Sequence, residues 1–165
     1  FGNLTSTAYA AATASNETRG LFAGGYRPNN SAVVNTIDYV TIATAGNAAD
    51  FGDLVAPQRA NAGGSNTTRA VFAAGAYPAV TNVIQYVTIA TTGNATDFGD
   101  LVKNTTMPAS TASNTKVIFA GGGPSATTTI NSVQIATIGN AIDFGDLTDD
   151  REQPVGVSNG HGGLG

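Results

Sequence analysis

The chain has 165 residues, a formal charge of −4 at neutral pH, 41% hydrophobic residues and no cysteine. Its seven Lys and Arg residues lie scattered and form no basic stripe, which excludes a nucleic-acid-binding protein. The lack of cysteine excludes disulfides, thiolate metal sites and thiol nucleophiles. No apolar run approaches the roughly 20 residues of a membrane helix. The sequence opens on Phe1 with no signal peptide, so we expect a processed protein or a portion of a longer one.

A marker phrase, Phe-Gly-(Asp/Asn)-Leu, occurs four times at successive intervals of 50, 47 and 46 residues. It stands at residues 1–4, 51–54, 98–101 and 144–147, and between markers the same phrases recur in the same order. A fixed period of this length predicts a supersecondary unit that buries its apolar face only against its neighbours. We therefore divide the chain into unit 1 (1–50), unit 2 (51–97), unit 3 (98–143) and a partial fourth unit with a Gly-rich C-terminus (144–165).

Taken in chain order, unit 1 is predicted to contain several strands. The apolar run Arg19–Ala23, closed by Gly24 and Gly25, predicts one strand, and residues 36–44 predict another with apolar side chains on both faces. The Gly-Asn pair at 46–47 predicts a turn before the marker, and residues 57–65 offer one more strand. β-branched and aromatic residues separated by Gly and Asn clusters predict three to four short antiparallel strands per unit and no helix.

Unit 3 departs from this pattern in its phrase Asn-Ser-Val-Gln-Ile-Ala-Thr. Aligned on Asn131 and Gly139, it lacks three residues equivalent to 39–41. Deleting an odd number of residues inside a strand turns the side chains that follow to the opposite face of the sheet. We expect a terminal unit adapted to an interface, a shorter strand with a bulge, or a sequence error.

The arrangement of each unit resembles a kelch-type propeller blade. The resemblance lies in Arg59, the strand at 71–75 that ends in Gly, the Tyr-bearing strand at 84–86, and Phe98. The chain departs from kelch blades in having Phe where they carry Trp, and Ala74 where they carry the first Gly of a pair. The resemblance implies an all-β fold of kelch-like propeller-blade repeats of about 47–50 residues, closed or completed by oligomerisation.

The recurring residues are expected to form the structural core of the repeats. They are Phe22, Gly24, Gly25, Tyr39, Phe51, Leu54, Phe72, Gly75, Tyr86, Phe98, Leu101, Phe119, Gly121, Gly122, Phe144 and Leu147.

The amino-acid sequence of the repeats resembles that of repeats in large structural proteins of marine cyanophages, of the tail-fibre or appendage kind. The phrases that carry this resemblance are YVTIAT, GNA-x-DFGDL, SN-x-TR and FAGG. It implies a non-enzymatic structural component of a bacteriophage virion (a fibre, spike or head/tail appendage), with other virion proteins as partners and contact with the host surface.

The number of units poses a problem of closure. Closed propellers have about 4–8 blades, and an unclosed stack exposes a strand edge that proteins normally cover or pair. Three units and a fragment therefore predict association with identical chains, for which we expect a homotrimer, as phage fibres commonly are by the same resemblance. Continuation into further sequence and docking on another partner are the alternatives.

Apparent catalytic and metal motifs are weak. The Asp-Phe-Gly triplet at 50–52 recurs in each repeat without the other kinase motifs, which predicts a turn. His161 is the only histidine, and a Gly-rich terminus offers nothing to orient it as a base. The carboxylates within 146–152 could form a weak Ca²⁺ site, but a solvated acidic turn is the preferred interpretation. We predict no catalytic residue, metal or cofactor, and an enzyme on a propeller scaffold is the least favoured class.

The loops that follow the Gly-Gly strands differ in length and wording while the strands around them repeat. Rigid repeats with divergent loops are how such folds present binding surfaces. Tyrosine and asparagine there could stack on and hydrogen-bond a host-surface sugar, so a lectin-like receptor-recognition module is the alternative function. The candidate ligand or interface residues are Tyr26, Arg27, Asn29, Asn30, Tyr77 and Asn82.

Overall fold

The computed structural model describes residues 2–158, and this part of the chain contains strands and no helix. No segment of it is therefore a helix able to cross a membrane. The strands form three four-stranded antiparallel sheets and one small ribbon. The prediction of an all-β chain with blade-like antiparallel sheets is confirmed.

Each sheet is a simple meander whose spatial order follows the chain. Sheet 1 contains β1 (Ala12–Ser15), β2 (Arg19–Ala23), β5 (Thr36–Thr41) and β6 (Ala49–Asp53), and β3 (Tyr26–Arg27) pairs with β4 (Ala32–Val33) in the ribbon between β2 and β5. Sheet 2 contains β7 (Ala62–Ser65), β8 (Arg69–Ala73), β9 (Thr81–Thr88) and β10 (Thr96–Thr105). Sheet 3 contains β11 (Ala109–Ala112), β12 (Lys116–Ala120), β13 (Thr127–Gln134) and β14 (Ile142–Arg151).

The boundaries of the sheets differ from those of the sequence units, which begin at each marker. The marker phenylalanines Phe51, Phe98 and Phe144 lie in the last strand of each sheet, not at its beginning. The first strand of sheet 2, β7, comes from residues 57–65, where the Ala/Gly-rich segment predicted an additional strand. Each sheet thus takes three strands from one sequence unit and its last strand from the marker of the next.

Strand register overturns the proposed deletion in unit 3. The phenylalanine in the second strand of each sheet, Phe22, Phe72 or Phe119, pairs with one residue of the third strand. These partners are Asp38, Gln85 and Asn131. Asn131 is therefore the counterpart of Asp38, not of Asn35, and the strand lacks nothing. The units differ in length only in the loop before this strand, and a loop of different length does not change which side chains of the strand face each layer.

The three sheets stack through two apolar cores. Successive side chains of a strand point to opposite faces, and apolar residues occupy both sets of positions, so each sheet has two apolar faces. We call the face toward the following sheet the forward face and the opposite one the rear face. The first core joins the forward face of sheet 1 (Leu21, Ala23, Ile37, Phe51, Leu54) to the rear face of sheet 2 (Ala70, Phe72, Val87, Ile89). The second joins the forward face of sheet 2 (Val71, Ala73, Ile84, Phe98, Leu101) to the rear face of sheet 3 (Val117, Phe119, Val133, Ile135). Each large side chain buried in this way contributes about 1.5–3 kcal/mol.

The first strands of the three sheets lie side by side and form a common inner edge. The Ser65 hydroxyl in β7 donates to the Ser15 carbonyl in β1 at 2.6 Å, and the Ser110 hydroxyl in β11 donates to the Gly63 carbonyl in β7. Sheet 2 is consequently covered on both faces, whereas sheets 1 and 3 each have one covered face.

Candidate interaction surfaces

In sheets 1 and 2, the marker is bound by the Gly-Asn turn of the next sheet. The Gly93 amide donates to the Phe51 carbonyl at 2.7 Å, and the Ala95 amide donates to the Asp53 carbonyl at 2.7 Å. The Asp53 amide donates to the Asn94 side chain at 3.0 Å. The same three bonds, 2.8–3.0 Å long, join Phe98 and Asp100 to Gly139, Asn140 and Ala141. Marker and turn recur together in the sequence because they are the two halves of one junction.

The marker glycine is required by the close approach of the next turn. A Cβ on Gly52 would lie 2.4 Å from the Gly93 carbonyl oxygen, and one on Gly99 would lie 2.6 Å from the Gly139 carbonyl carbon. Gly145, the equivalent in sheet 3, has the same positive φ, 135°, but nothing within 4 Å of such a Cβ. Within residues 2–158, the junction half in sheet 3 is formed and contacts no Gly-Asn turn.

A second set of contacts joins neighbouring sheets through arginine. The Arg19 guanidinium stacks 4.7 Å from the ring centroid of Tyr39 and donates to the Ile89 carbonyl at 2.7 Å. Arg69 repeats this arrangement, lying 4.7 Å from the Tyr86 ring and 2.9 Å from the Ile135 carbonyl. Asn16 and Asn66 likewise donate to carbonyls of the following sheet, those of Thr67 and Asn114.

Sheet 3 lacks this second set. Ser113 stands where the other sheets have the asparagine, Lys116 where they have the arginine and Ser132 where they have the tyrosine. The Lys116 ammonium lies 5.8 Å from the ring of Phe144, within its own sheet. The forward face of sheet 3 keeps the marker but not the polar links to a following sheet.

The forward face of sheet 3 is open and apolar. Phe144 is 58% exposed, whereas its counterparts Phe51 and Phe98 are 2% and 1% exposed. Phe144 was expected in the repeat core, and it lies outside because no sheet follows in residues 2–158. Ile142 is 63% exposed beside it. A groove of about 570 Å³ on this side is lined by apolar side chains that include Ile118, Ala120, Leu147, Pro154 and Val155.

Residues 154–158 occupy the position of a first strand of a fourth sheet. The residue two positions before each first strand, Ala10, Ala60 or Met107, has a left-handed φ of 51–58°, and Gln153 has the same conformation with a φ of 51°. The Thr111 hydroxyl in β11 donates to the Val157 carbonyl at 2.7 Å. Val155 and Val157 are 92% and 91% exposed, where Ala12 and Ala14 of β1 are buried. The rest of the partial unit, 159–165, lies outside the described residues.

Residues 2–5 complete the rear face of sheet 1 as the marker of a preceding sheet would. The Asn3 amide donates to the Asn47 side chain at 2.9 Å, and the Ala48 amide donates to the Asn3 carbonyl at 2.8 Å. These bonds repeat those of Asp53 with the next turn. Phe22 on this rear face is half-buried, and Ile42 is 43% exposed, while the equivalent Phe72 and Ile89 are fully buried.

One predicted loop brings its tyrosine into a small aromatic cluster. The Tyr26 ring lies 5.1 Å from the Tyr9 ring, and the Arg59 guanidinium lies 5.8 Å from Tyr26. Tyr9 is 54% exposed. Comparison of the variable loops missed Tyr9 and Arg59 because both precede a first strand. Backbone hydrogen bonds bring the three segments together: Tyr9 pairs with Tyr26, the Gly25 amide donates to the Gln58 carbonyl, and the Ala60 amide donates to the Ala10 carbonyl.

The other predicted loop residues are placed separately. Arg27 donates to the Thr36 hydroxyl at 3.2 Å, and Asn29 and Asn30 are exposed at the end of the ribbon. Asn82 donates to the Leu101 carbonyl at 3.3 Å, a contact within sheet 2. Tyr77, in the corresponding loop of sheet 2, is 51% exposed.

No protein-family model matches the chain, and no curated protein is a significant match to it. The kelch and cyanophage resemblances therefore stay predictions.

The acidic turn near the end of β14 shows ordinary surface contacts. Asp146 accepts a hydrogen bond from the Thr128 hydroxyl at 2.7 Å, and Asp149 lies 3.9 Å from Arg151 with both side chains largely exposed. Within residues 2–158, no group of three or more His, Cys, Asp or Glu side chains is arranged to hold a metal ion. His161 lies outside the described residues.

Proposed function

We propose that the protein is a non-enzymatic structural component of a bacteriophage virion, acting in a fibre, spike or head/tail appendage. The observation that carries the proposal is the open forward face of sheet 3. Its marker phenylalanine is buried at both internal junctions and 58% exposed here, and apolar patches of this kind mark interaction surfaces. A sheet stack with an unfilled apolar junction suits a building block of a larger assembly. The repeat wording supports a virion as that assembly.

The proposal is tested by locating the chain on particles. Virions of a phage that encodes the chain would be purified on a density gradient, and their proteins would be quantified by mass spectrometry. We expect the chain at a fixed number per particle, with antibody label at one structure in electron micrographs. A deletion phage is the control for labelling. Abundance in the lysate without incorporation into particles would contradict the proposal.

The aromatic cluster favours a second candidate, glycan recognition by the same appendage. Tyr9, Tyr26 and Arg59 combine flat ring surfaces with a hydroxyl and guanidinium donors, the groups that orient a polar ligand at an apolar surface. Binding of host polysaccharide would be measured by calorimetry for the wild type, Tyr26→Ala and Tyr77→Ala. We expect loss of binding only for Tyr26→Ala. Equal effects of both variants would contradict a site at this cluster, and lasting hydrolysis of the polysaccharide would point to an enzyme.

A further inference from the structure

We propose that copies of this chain join head to tail, with the forward face of sheet 3 in one copy packed on the rear face of sheet 1 in the next. In this junction, residues 144–148 of one copy take the place that residues 2–5 hold on the other. The inference rests on the proposed structural function and names a second copy as the partner.

The two end faces are complementary because each corresponds to one half of an internal junction. In the first core, Phe72 on the rear face of sheet 2 is fully buried in a cluster that includes Leu21, Ala23 and Leu54 of sheet 1. Phe22 occupies the same position on the rear face of sheet 1 and is only half-buried. Sheet 3 presents Ile118, Ala120 and Leu147 at the matching positions, and these side chains would receive Phe22 of a second copy once residues 154–158 move aside.

The hydrogen bonds of the junction are also available. The Gly-Asn turn at 46–47 of sheet 1 already binds residues 2–5, through the bonds that internal turns make with markers. Residues 144–148 carry the same marker, and Gly145 has open space where Gly52 and Gly99 meet a turn. Exchanging one strand for the other conserves these hydrogen bonds and buries Phe144. Apolar burial then favours the associated state.

Two short segments must move aside. Residues 2–5 leave the turn of sheet 1, and residues 154–158 leave the position beside β11 that β1 of the next copy takes. Leu147 of the other copy takes the place of Leu4, which is 39% exposed, and Val155 and Val157 lose little contact because they are more than nine-tenths exposed.

The replaced polar links favour a second copy over a further repeat of the same polypeptide. Internal junctions use an asparagine and an arginine that reach the following sheet, and sheet 3 has Ser113 and Lys116 there. A junction that keeps the apolar contacts and loses these links is weaker than an internal one. This is what a reversible contact between chains requires.

Such an interface is heterologous and produces either a ring or an open filament. Two copies supply six sheets, within the range of about 4–8 in closed propellers, whereas three copies supply nine. We therefore expect a closed dimer in place of the trimer expected from the sequence.

The test uses one disabled face at a time in the full chain. Phe144→Asp disables the forward face and Ile42→Asp the rear face, and both side chains are exposed enough for each variant to fold alone. Sedimentation should show a dimer for the wild type and at least about 30-fold weaker self-association for each variant. An equimolar mixture of the two variants should form one-to-one dimers, because each supplies the face that the other lacks. Val102→Asp, at an exposed valine in β10 of the middle sheet, is the control and should associate like the wild type.

A wild-type chain that stays monomeric at all concentrations would overturn the proposal. So would dimers of Ile42→Asp alone, which would show forward faces meeting each other. Circular dichroism of each variant verifies that loss of association is not loss of folding. Incorporation into virions is measured in a separate experiment. Failure of self-association can therefore be distinguished from failure of the proposed structural function.

Discussion

At the scale of single residues, the arginine of the Thr-Arg phrase links neighbouring sheets. Arg69 is stacked on a tyrosine of its own sheet and bonded to two carbonyls of the next, those of Ile135 and Ala136. A guanidinium suits this position because its planar face stacks while its edge donates several hydrogen bonds. The recurrence of the residue in the sequence reflects a contact between repeats.

Replacing this residue should destabilise the stack. Arg69→Ala removes a cation–π contact and charged hydrogen bonds, for which we expect a loss of about 2 kcal/mol in the free energy of unfolding. Arg151→Ala, which removes an exposed ion pair, is the control and should change it by less than about 0.5 kcal/mol. Urea unfolding followed by circular dichroism gives both values, and equal losses would contradict the linking role.

At the scale of elements, the last strand of sheets 1 and 2 contacts two sheets, its own and the next one. Strand β10 pairs with β9 through its backbone and offers the marker to the turn of sheet 3. Strand β14 makes the first of these contacts and not the second. The same four-residue marker therefore occurs in two environments in one molecule. Comparing substitutions in the two environments separates the effect on the local backbone from the effect on contacts between sheets.

Alanine at the marker glycines should distinguish the two environments. Gly99→Ala and Gly145→Ala carry similar backbone strain, because φ is 141° and 135°. Only the first introduces a clash with a neighbouring turn, so we expect it to cost about 1–3 kcal/mol more. Chemical unfolding of the two variants at low protein concentration measures the difference. A difference near zero would show that the turn gives way without cost.

At the scale of the whole molecule, the stack is one-dimensional, so each sheet depends on its immediate neighbours. Sheet 2 has both faces buried, and its strand β8 contains four consecutive buried residues, Ala70 to Ala73. Sheets 1 and 3 each leave apolar residues such as Ile42 and Phe144 exposed at an end. Stability is therefore expected to fall from the middle of the stack toward both ends.

Amide hydrogen exchange should reveal this gradient. We expect the slowest exchange in β8 and β9, and faster exchange in β5 and β13, when the protein is dilute. Mass spectrometry of peptic fragments resolves these strands. If copies associate as proposed, raising the concentration should slow exchange in sheets 1 and 3 and leave sheet 2 unchanged. Uniform protection in dilute solution would contradict a stack of separate sheets.

Part of the candidate surface could be anticipated from the sequence. The loop containing Tyr26 was found because it varies between repeats that otherwise agree. Its neighbours Tyr9 and Arg59 could not be found in this way, since they approach Tyr26 only when β1 and β7 take their places at the inner edge. The equivalence of Asn131 with Asp38 was also hidden, because register is defined by pairing across strands and not by similar letters.

The all-β class, the repeat period and the positions of turns follow from the amino-acid sequence. These features depend on local chemistry: side-chain alternation in strands, and glycine where φ is positive. Where each sheet begins, and which copies of a repeated residue are buried, depends instead on how the sheets pack. Phe98 and Phe144 stand in the same phrase, yet one is 1% and the other 58% exposed. Burial is a property of what packs against a residue, and the phrase around Phe144 is the same whether or not another sheet follows.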